Sequence, residues 1–145
     1  MKKVCLIIGA GAGIGGTVGA KFAAQGYHAA LARRSDAAGL NRLVSEIAAR
    51  GDSASGHLLN ATEEGAIEKL VEEVEKLGPI EVVLFNLGAQ IGNRALEQTA
   101  LKTFELGWRM ACFGLFRLAK AVLPAMEARG RGTLLVTSAT AAVRG

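Results

Sequence analysis

The chain has 145 residues, half of them apolar, with 19 glycines, 2 prolines and a single tyrosine. That length suits one domain able to bury roughly 70% of its unfolded surface, and a mean hydropathy of +0.30 argues against disorder. A net charge of +4 does not make a nucleic-acid binder: basic residues adjoin only at Lys2-Lys3 and Arg33-Arg34, and aromatic residues form just 5% of the chain.

Two cysteines, Cys5 and Cys112, cannot build a disulfide framework, so a reducing cytoplasm is the expected compartment. Cys5, inside the first strand, reads as a buried small hydrophobe, and Cys112 lies in a helix without CxxC or histidine spacing, so no metal site is expected. The run Val4-Cys5-Leu6-Ile7-Ile8 after two lysines dissolves into glycines without a cleavage site. It reads as a buried strand, and no membrane span is expected.

In chain order the pattern alternates short apolar runs with helical periods. Strands are expected at Lys3–Ile8, His28–Ala32, Ala54–Leu59, Ile80–Asn86 and Thr133–Thr137. A first helix covers Ile14–Gln25 and ends at Gly26. A second carries Leu40, Leu43, Val44, Ile47 and Ala48 on one face and closes at Gly51. Thr62 is expected to cap a third, with Ile67, Leu70, Val71, Val74 and Leu77 inward and Gly78-Pro79 as its stop. The acidic run Glu63-Glu64…Glu72-Glu73-Glu75 reads as its solvated face, and His28 and His57 as structural. The last helix spans Thr99–Arg129, with a disturbance expected near Pro124. Strands alternating with helices imply an α/β fold, a doubly wound parallel sheet with helices on both faces.

Chemistry concentrates after the first strand, in Gly9-Ala10-Gly11-Ala12-Gly13-Ile14-Gly15-Gly16. Both Gly11-x-Gly13-x-x-Gly16 and Gly9-x-x-x-Gly13-x-Gly15 fit a dinucleotide turn. Glycines let backbone approach a pyrophosphate and aim helix N–H groups at the anion. The second strand ends Leu31-Ala32-Arg33-Arg34-Ser35. An NAD site usually offers a carboxylate to the ribose 2′-hydroxyl in this region, whereas arginine binds a 2′-phosphate with paired charge-assisted bonds. NADP(H) is therefore the expected cofactor, with NAD(H) second; Asp36, the nearest acid, falls several residues late.

These residues resemble the short-chain dehydrogenase/reductase family. Gly9…Gly13-Ile14-Gly15 is similar to its Thr-Gly-x-x-x-Gly-x-Gly turn, with Ile8 in place of the threonine, and Ala32-Arg33-Arg34 to its NADP-preferring members. Leu59-Asn60-Ala61-Thr62 falls where the family carries Asp-Val-Thr near the adenine. Phe85-Asn86-Leu87-Gly88 resembles the Asn-Asn-Ala-Gly segment that borders the cofactor, and Leu134–Ser138 the fifth strand ending in the catalytic serine. The resemblance implies a Rossmann-type sheet in order 3-2-1-4-5. It implies hydride transfer between a nicotinamide and a small carbonyl or alcohol substrate. It makes Ser138 the substrate-orienting residue, with Thr137 or Thr140 as alternatives in a shifted register. Gly9, Gly11, Ala12, Gly13, Ile14, Gly15, Arg33, Arg34, Asn60, Ala61, Asn86, Leu87 and Gly88 become the cofactor contacts. Gln90–Arg94 and Ser138–Arg144 are expected near the substrate pocket.

Two departures stand against this pattern. Ala111, in Trp108–Gly114, occupies the place of the family's helix asparagine. The family's Tyr-x-x-x-Lys follows the serine, whereas Tyr27 precedes the second strand. The 145 residues thus read as the NADP(H)-binding domain of a longer reductase, with its sheet incomplete at the C-terminus. The alternatives are a non-catalytic NADP-binding sensor or partner subunit, or an inactive fragment. Leu101, Phe104, Trp108, Ala111, Leu115, Leu118 and Val122 line one face of the last helix, and Leu106, Met110, Phe113 and Gly114 another. Such a helix is either deep core or a subunit contact, and the family's helix-paired dimers favour a homo-oligomer.

Overall fold

A computed structural model describes residues 1–88 and 95–144; the expected pocket segment Gln90–Arg94 lies outside them. Five parallel strands, β1 (Val4–Ile8), β2 (His28–Arg33), β3 (Ser53–Leu58), β4 (Ile80–Phe85) and β5 (Thr133–Val136), form one sheet. Their order is β3-β2-β1-β4-β5, as the resemblance implied. Helices α1 (Ile14–Ala23), α2 (Ala37–Ala48) and α3 (Ala66–Glu75) connect the first four strands. Between β4 and β5 run α4 (Leu101–Trp108), a π-helical stretch (Arg109–Phe113) and α5 (Gly114–Ala128).

The two-residue side-chain period of a strand divides the core into two layers. Val4, Leu6 and Ile8 of β1 face one way, with Ala30, Val83 and Phe85, and meet Ile67, Leu70 and Val74 of α3 and Leu118, Val122 and Met126 of α5. Cys5 and Ile7 face the other way, with Leu31 and Leu84, and meet Ala23 of α1 and Leu40 and Ile47 of α2. Each large apolar side chain removed from water here contributes about 1.5–3 kcal/mol. Burial pushes the Cys5 thiol up to about 12, so it packs as a small hydrophobe with no thiolate chemistry.

Glu81 is the one buried charged side chain in the sheet among the described residues. It sits where the β1–β4 register slips, Val4 pairing Ile80 but Cys5 pairing Val82. Lys3 Nζ at 3.2 Å and Arg131 Nε at 2.8 Å compensate its carboxylate.

Four expectations are corrected. The residue capping α3 is Gly65, at φ +74, and not Thr62, because Thr62 donates both its hydroxyl (2.7 Å) and its backbone N–H (3.2 Å) to Asn60 Oδ1. Leu77 lies past the end of α3 and is exposed. Glu75 is not a solvated charge: Arg129 grips both its oxygens at 3.1 Å and also donates to the Ile80 carbonyl at 2.9 Å. The break in the last helix falls at Arg109–Phe113, while the α-helix continues through Pro124.

The deep-core reading of that helix is corrected as well. Gly114, Leu118, Val122 and Met126 are buried, but Leu101, Phe104, Leu106, Trp108, Phe113, Phe116 and Leu123 are exposed. Trp108 and Phe113 stack across the π-helical stretch with centroids 5.3 Å apart.

Candidate functional site

The carboxyl ends of all five strands open on the same side of the sheet, as their parallel pairing requires. Strand order reverses between β1 and β4, and open α/β sheets bind ligands in the crevice at such a reversal. The glycine turn stands there. Gly9 N and Ala10 N both donate to the Ala32 carbonyl, at 2.9 and 2.8 Å, which folds the chain sharply off β1.

Gly9 has φ +96, and a Cβ on it would strike the Asn86 carbonyl. A Cβ on Gly15 would strike the Gly9 carbonyl. Those two positions need glycine to close the turn, whereas a Cβ on Gly11 or Gly13 would meet only open space. Gly13 is the N-cap of α1, with no side chain capping it and no acidic residue in the first turn. An uncapped helix N-terminus beside open backbone suits a pyrophosphate. A Cβ on Gly16 would likewise strike the Gly11 carbonyl, so close contacts through the turn belong to both glycine spacings.

Asn86, just past β4, fixes the turn from below. Its Nδ2 donates to the Gly9 carbonyl at 3.0 Å, and its Oδ1 accepts from Thr137 Oγ1 at 2.7 Å. Thr137 N donates to the Phe85 carbonyl at 3.0 Å, continuing the β4–β5 ladder. One amide therefore ties the turn after β1 to the end of β5. Thr137, weighed in the sequence only as a substitute for Ser138, instead takes this positioning place. Ser138 is the next residue, exposed, and leads into a 3₁₀ turn at Thr140–Ala142.

Arg34, Leu59, Asn60, Ala61 and Leu87 line a cleft of about 120 Å³ beside the turn, closed by Leu106 and Met110 from the last helix. The cleft thus brings together Arg34, Asn60, Ala61 and Leu87, four of the residues expected from the sequence to contact the cofactor. Asn60 Oδ1 is already taken by Thr62, so the amide acceptor proposed for adenine is occupied. Arg33 pairs through Nη1 with Asp36 Oδ2 at 3.3 Å.

Arg117 carried no signal in the sequence, being one of five cations in the last helix with Lys102, Arg109, Lys120 and Arg129. It donates to Glu68 Oε1 at 2.9 Å and to Glu68 Oε2 at 2.6 Å. It also donates to the carbonyls of Ala61 at 3.1 Å and Glu63 at 3.0 Å. The Arg117 guanidinium holds the Glu68 carboxyl below its ordinary range through this bidentate hydrogen bond, and Glu68 raises Arg117 in return. The consequence is positional: the loop carrying Asn60 and Ala61 is anchored to α5.

Tyr27 packs edge-on against Phe22 at 5.3 Å and precedes β2, at the amino end of the sheet, away from Ser138. Ala111 lies in the π-helical stretch and offers no hydrogen-bonding side chain. Among the described residues there is no group of three or more histidine, cysteine or acidic side chains placed to hold a metal, and no helix is long and apolar enough to cross a membrane.

A parallel sheet in the order β3-β2-β1-β4-β5 with a glycine turn at its switch point defines a Rossmann-type α/β protein. A family profile described as "short chain dehydrogenase" matches residues 3–145, and the chain belongs to that family. It is 30% identical over 142 residues, 97% of its length, to the 7alpha-hydroxysteroid dehydrogenase of Escherichia coli K12, covering 54% of that protein. It is 33% identical over 139 residues to the 2-keto-3-deoxy-L-fuconate dehydrogenase of Xanthomonas campestris, spanning 96% of this chain and 43% of that protein. The chain thus spans about half the length of these curated relatives. Among solved structures, a short-chain dehydrogenase from Rhodopseudomonas palustris superposes with a TM-score of 0.92 and 34% identity, over 99% of this chain and 66% of that one. A metagenomic short-chain oxidoreductase in complex with NADP gives 0.89 at 25% identity, over 94% and 62%. A 7 alpha-hydroxysteroid dehydrogenase complexed with NADH and 7-oxo glycochenodeoxycholic acid gives 0.90 at 28%, over 99% and 55%.

Proposed function

We propose that residues 1–145 are the NADP(H)-binding domain of a cytoplasmic short-chain oxidoreductase that transfers hydride between the nicotinamide and a small carbonyl or alcohol. The observation that carries this reading is the Arg33-Arg34 pair ending β2, with Arg34 on the cleft beside the glycine turn. When bound, the dinucleotide would supply the hydride. The glycine turn and the uncapped α1 would hold its pyrophosphate, the cleft around Asn60 and Ala61 its adenine, and the arginines its 2′-phosphate. Gly88, next to Leu87, would border the cofactor with Asn86 and Leu87. Ser138 would orient the substrate oxygen, held in place by its neighbour Thr137. The exposed face of α4 and α5 would pair with a second copy.

Calorimetric titration of NADPH and NADH against Arg33→Ala tests the cofactor assignment. NADPH binding should weaken about 10- to 100-fold with NADH little changed, and equal losses for both would remove the 2′-phosphate site.

A second reading, NADP binding without redox turnover, is favoured by Ala111, which offers no hydrogen-bonding side chain. NADPH oxidation by the full chain against a panel of carbonyls separates the two. Turnover supports the oxidoreductase, and saturable binding without turnover supports the binder.

A further inference from the structure

The corner between β2 and α2 holds a carboxylate, that of Asp36, directly against Arg33. Asp36 is the only non-glycine residue with positive φ among the described residues, at +60. In that left-handed conformation its Oδ1 accepts from Gly39 N at 2.9 Å and caps α2, while Oδ2 lies 3.3 Å from Arg33 Nη1. Gly39 makes the arrangement possible. A Cβ there would collide with Asp36 Oδ2 and come within 3.0 Å of Arg33 Nη1, so the ion pair lies flat on the first turn of the helix. Aspartate is among the few non-glycine residues that suit this left-handed conformation, because its short side chain bonds locally, here to Gly39 N.

A guanidinium offers its N–H groups in one plane, and Asp36 already engages the Nη1 end of Arg33. A ribose 2′-phosphate reaching Arg33 must share it with that carboxylate or displace it, and the two anions repel at this range. A 2′-hydroxyl makes no such demand and leaves the pair intact. We propose that Asp36 is a specificity-determining residue: its carboxylate competes with the 2′-phosphate for Arg33 and holds the preference for NADPH over NADH below what the two arginines alone would set. The inference rests on reading this corner as the ribose-phosphate site.

The test is calorimetric titration of NADPH and NADH with the full chain as wild type, Asp36→Asn, Asp36→Ser and Arg33→Ala. Asparagine and serine remain good caps, and asparagine tolerates the left-handed region, so charge is the main change. Both neutral variants should bind NADPH about tenfold tighter, equivalent to about 1.4 kcal/mol, with NADH within about twofold of wild type. An unchanged NADPH-to-NADH ratio in both, alongside the expected loss in Arg33→Ala, would overturn the role of Asp36 and leave the phosphate site standing. Wild type binding neither nucleotide, or Arg33→Ala keeping the wild-type ratio, would overturn both together.

Discussion

The two sides of the crevice are built differently. On the β1 side every residue of β1 and β4 is buried, and the glycine turn is pinned by Ala32, Asn86 and Thr137. On the far side β5 is mostly exposed, and α4 and α5 show Phe104, Trp108 and Phe116 to solvent. The glycine-turn side is stabilised by its own contacts, so its geometry is set before any ligand arrives. The helix side carries apolar surface that only another surface can bury, which is why the subunit contact is proposed there.

The largest expected effect comes from breaking the pinned side at its tightest point. Gly9→Ala forces a Cβ into the Asn86 carbonyl at φ +96 and should cost about 3 kcal/mol or more, read as a lowered melting temperature, with nucleotide binding lost. Next is Arg117→Met, which leaves the Ala61 carbonyl without its donor and the Glu63 carbonyl with Ala66 N alone. A loss of about 2 kcal/mol is expected, together with weaker NADPH binding through the displaced Asn60–Ala61 loop. Unchanged affinity would separate Arg117 from the site.

A smaller effect belongs to the outer sheet edge, where Ser55 Oγ bridges His28 Nε2 at 2.9 Å and His57 Nε2 at 2.8 Å. Burial, and for His28 also the neighbouring His57 and Lys2, pushes both rings below the ordinary 6.5; Glu73 partly opposes this at His57. The unfolded chain then takes up protons more readily than the folded one. Stability is complete above pH 6.5 and falls as the pH drops through 6.5 toward the folded-state values. Both rings are partly exposed, so the slope should be a fraction of the about 1.4 kcal/mol per pH unit of a fully shifted group. Melting of His57→Asn from pH 7.5 to 5 should show a flatter profile than wild type.

The smallest change in stability, within about 0.5 kcal/mol, is expected from Phe104→Ser and Phe116→Ser, which touch only the exposed face. Light scattering should nevertheless show these variants as monomers where wild type associates. A monomeric wild type at micromolar concentration would break the proposed contact.

What the sequence made legible follows the same division. Strands β1 and β4 are apolar runs ended by turn chemistry, so their place at the centre of the sheet and the glycine turn could be read directly. Burial of the last helix could not, because core and subunit surfaces share the same apolar period. Neither could the His28–Ser55–His57 chain, which depends on the β2–β3 register that sets His28 opposite Ser53 and Ala32 opposite His57. Thr62 looked like a cap because local spacing does not show that Asn60 claims its hydroxyl. Arg117 and Arg129 acquire their meaning only once α5 lies against α3 and Glu68 and Glu75 come within reach.

The central claim is that the pinned turn and the arginine pair bind a 2′-phosphorylated dinucleotide. Titration of the wild-type chain with NADPH and NADH side by side tests it most directly. The account predicts saturable binding of both, with NADPH tighter by about tenfold. NADH binding more tightly, or no saturable binding of either, would contradict it.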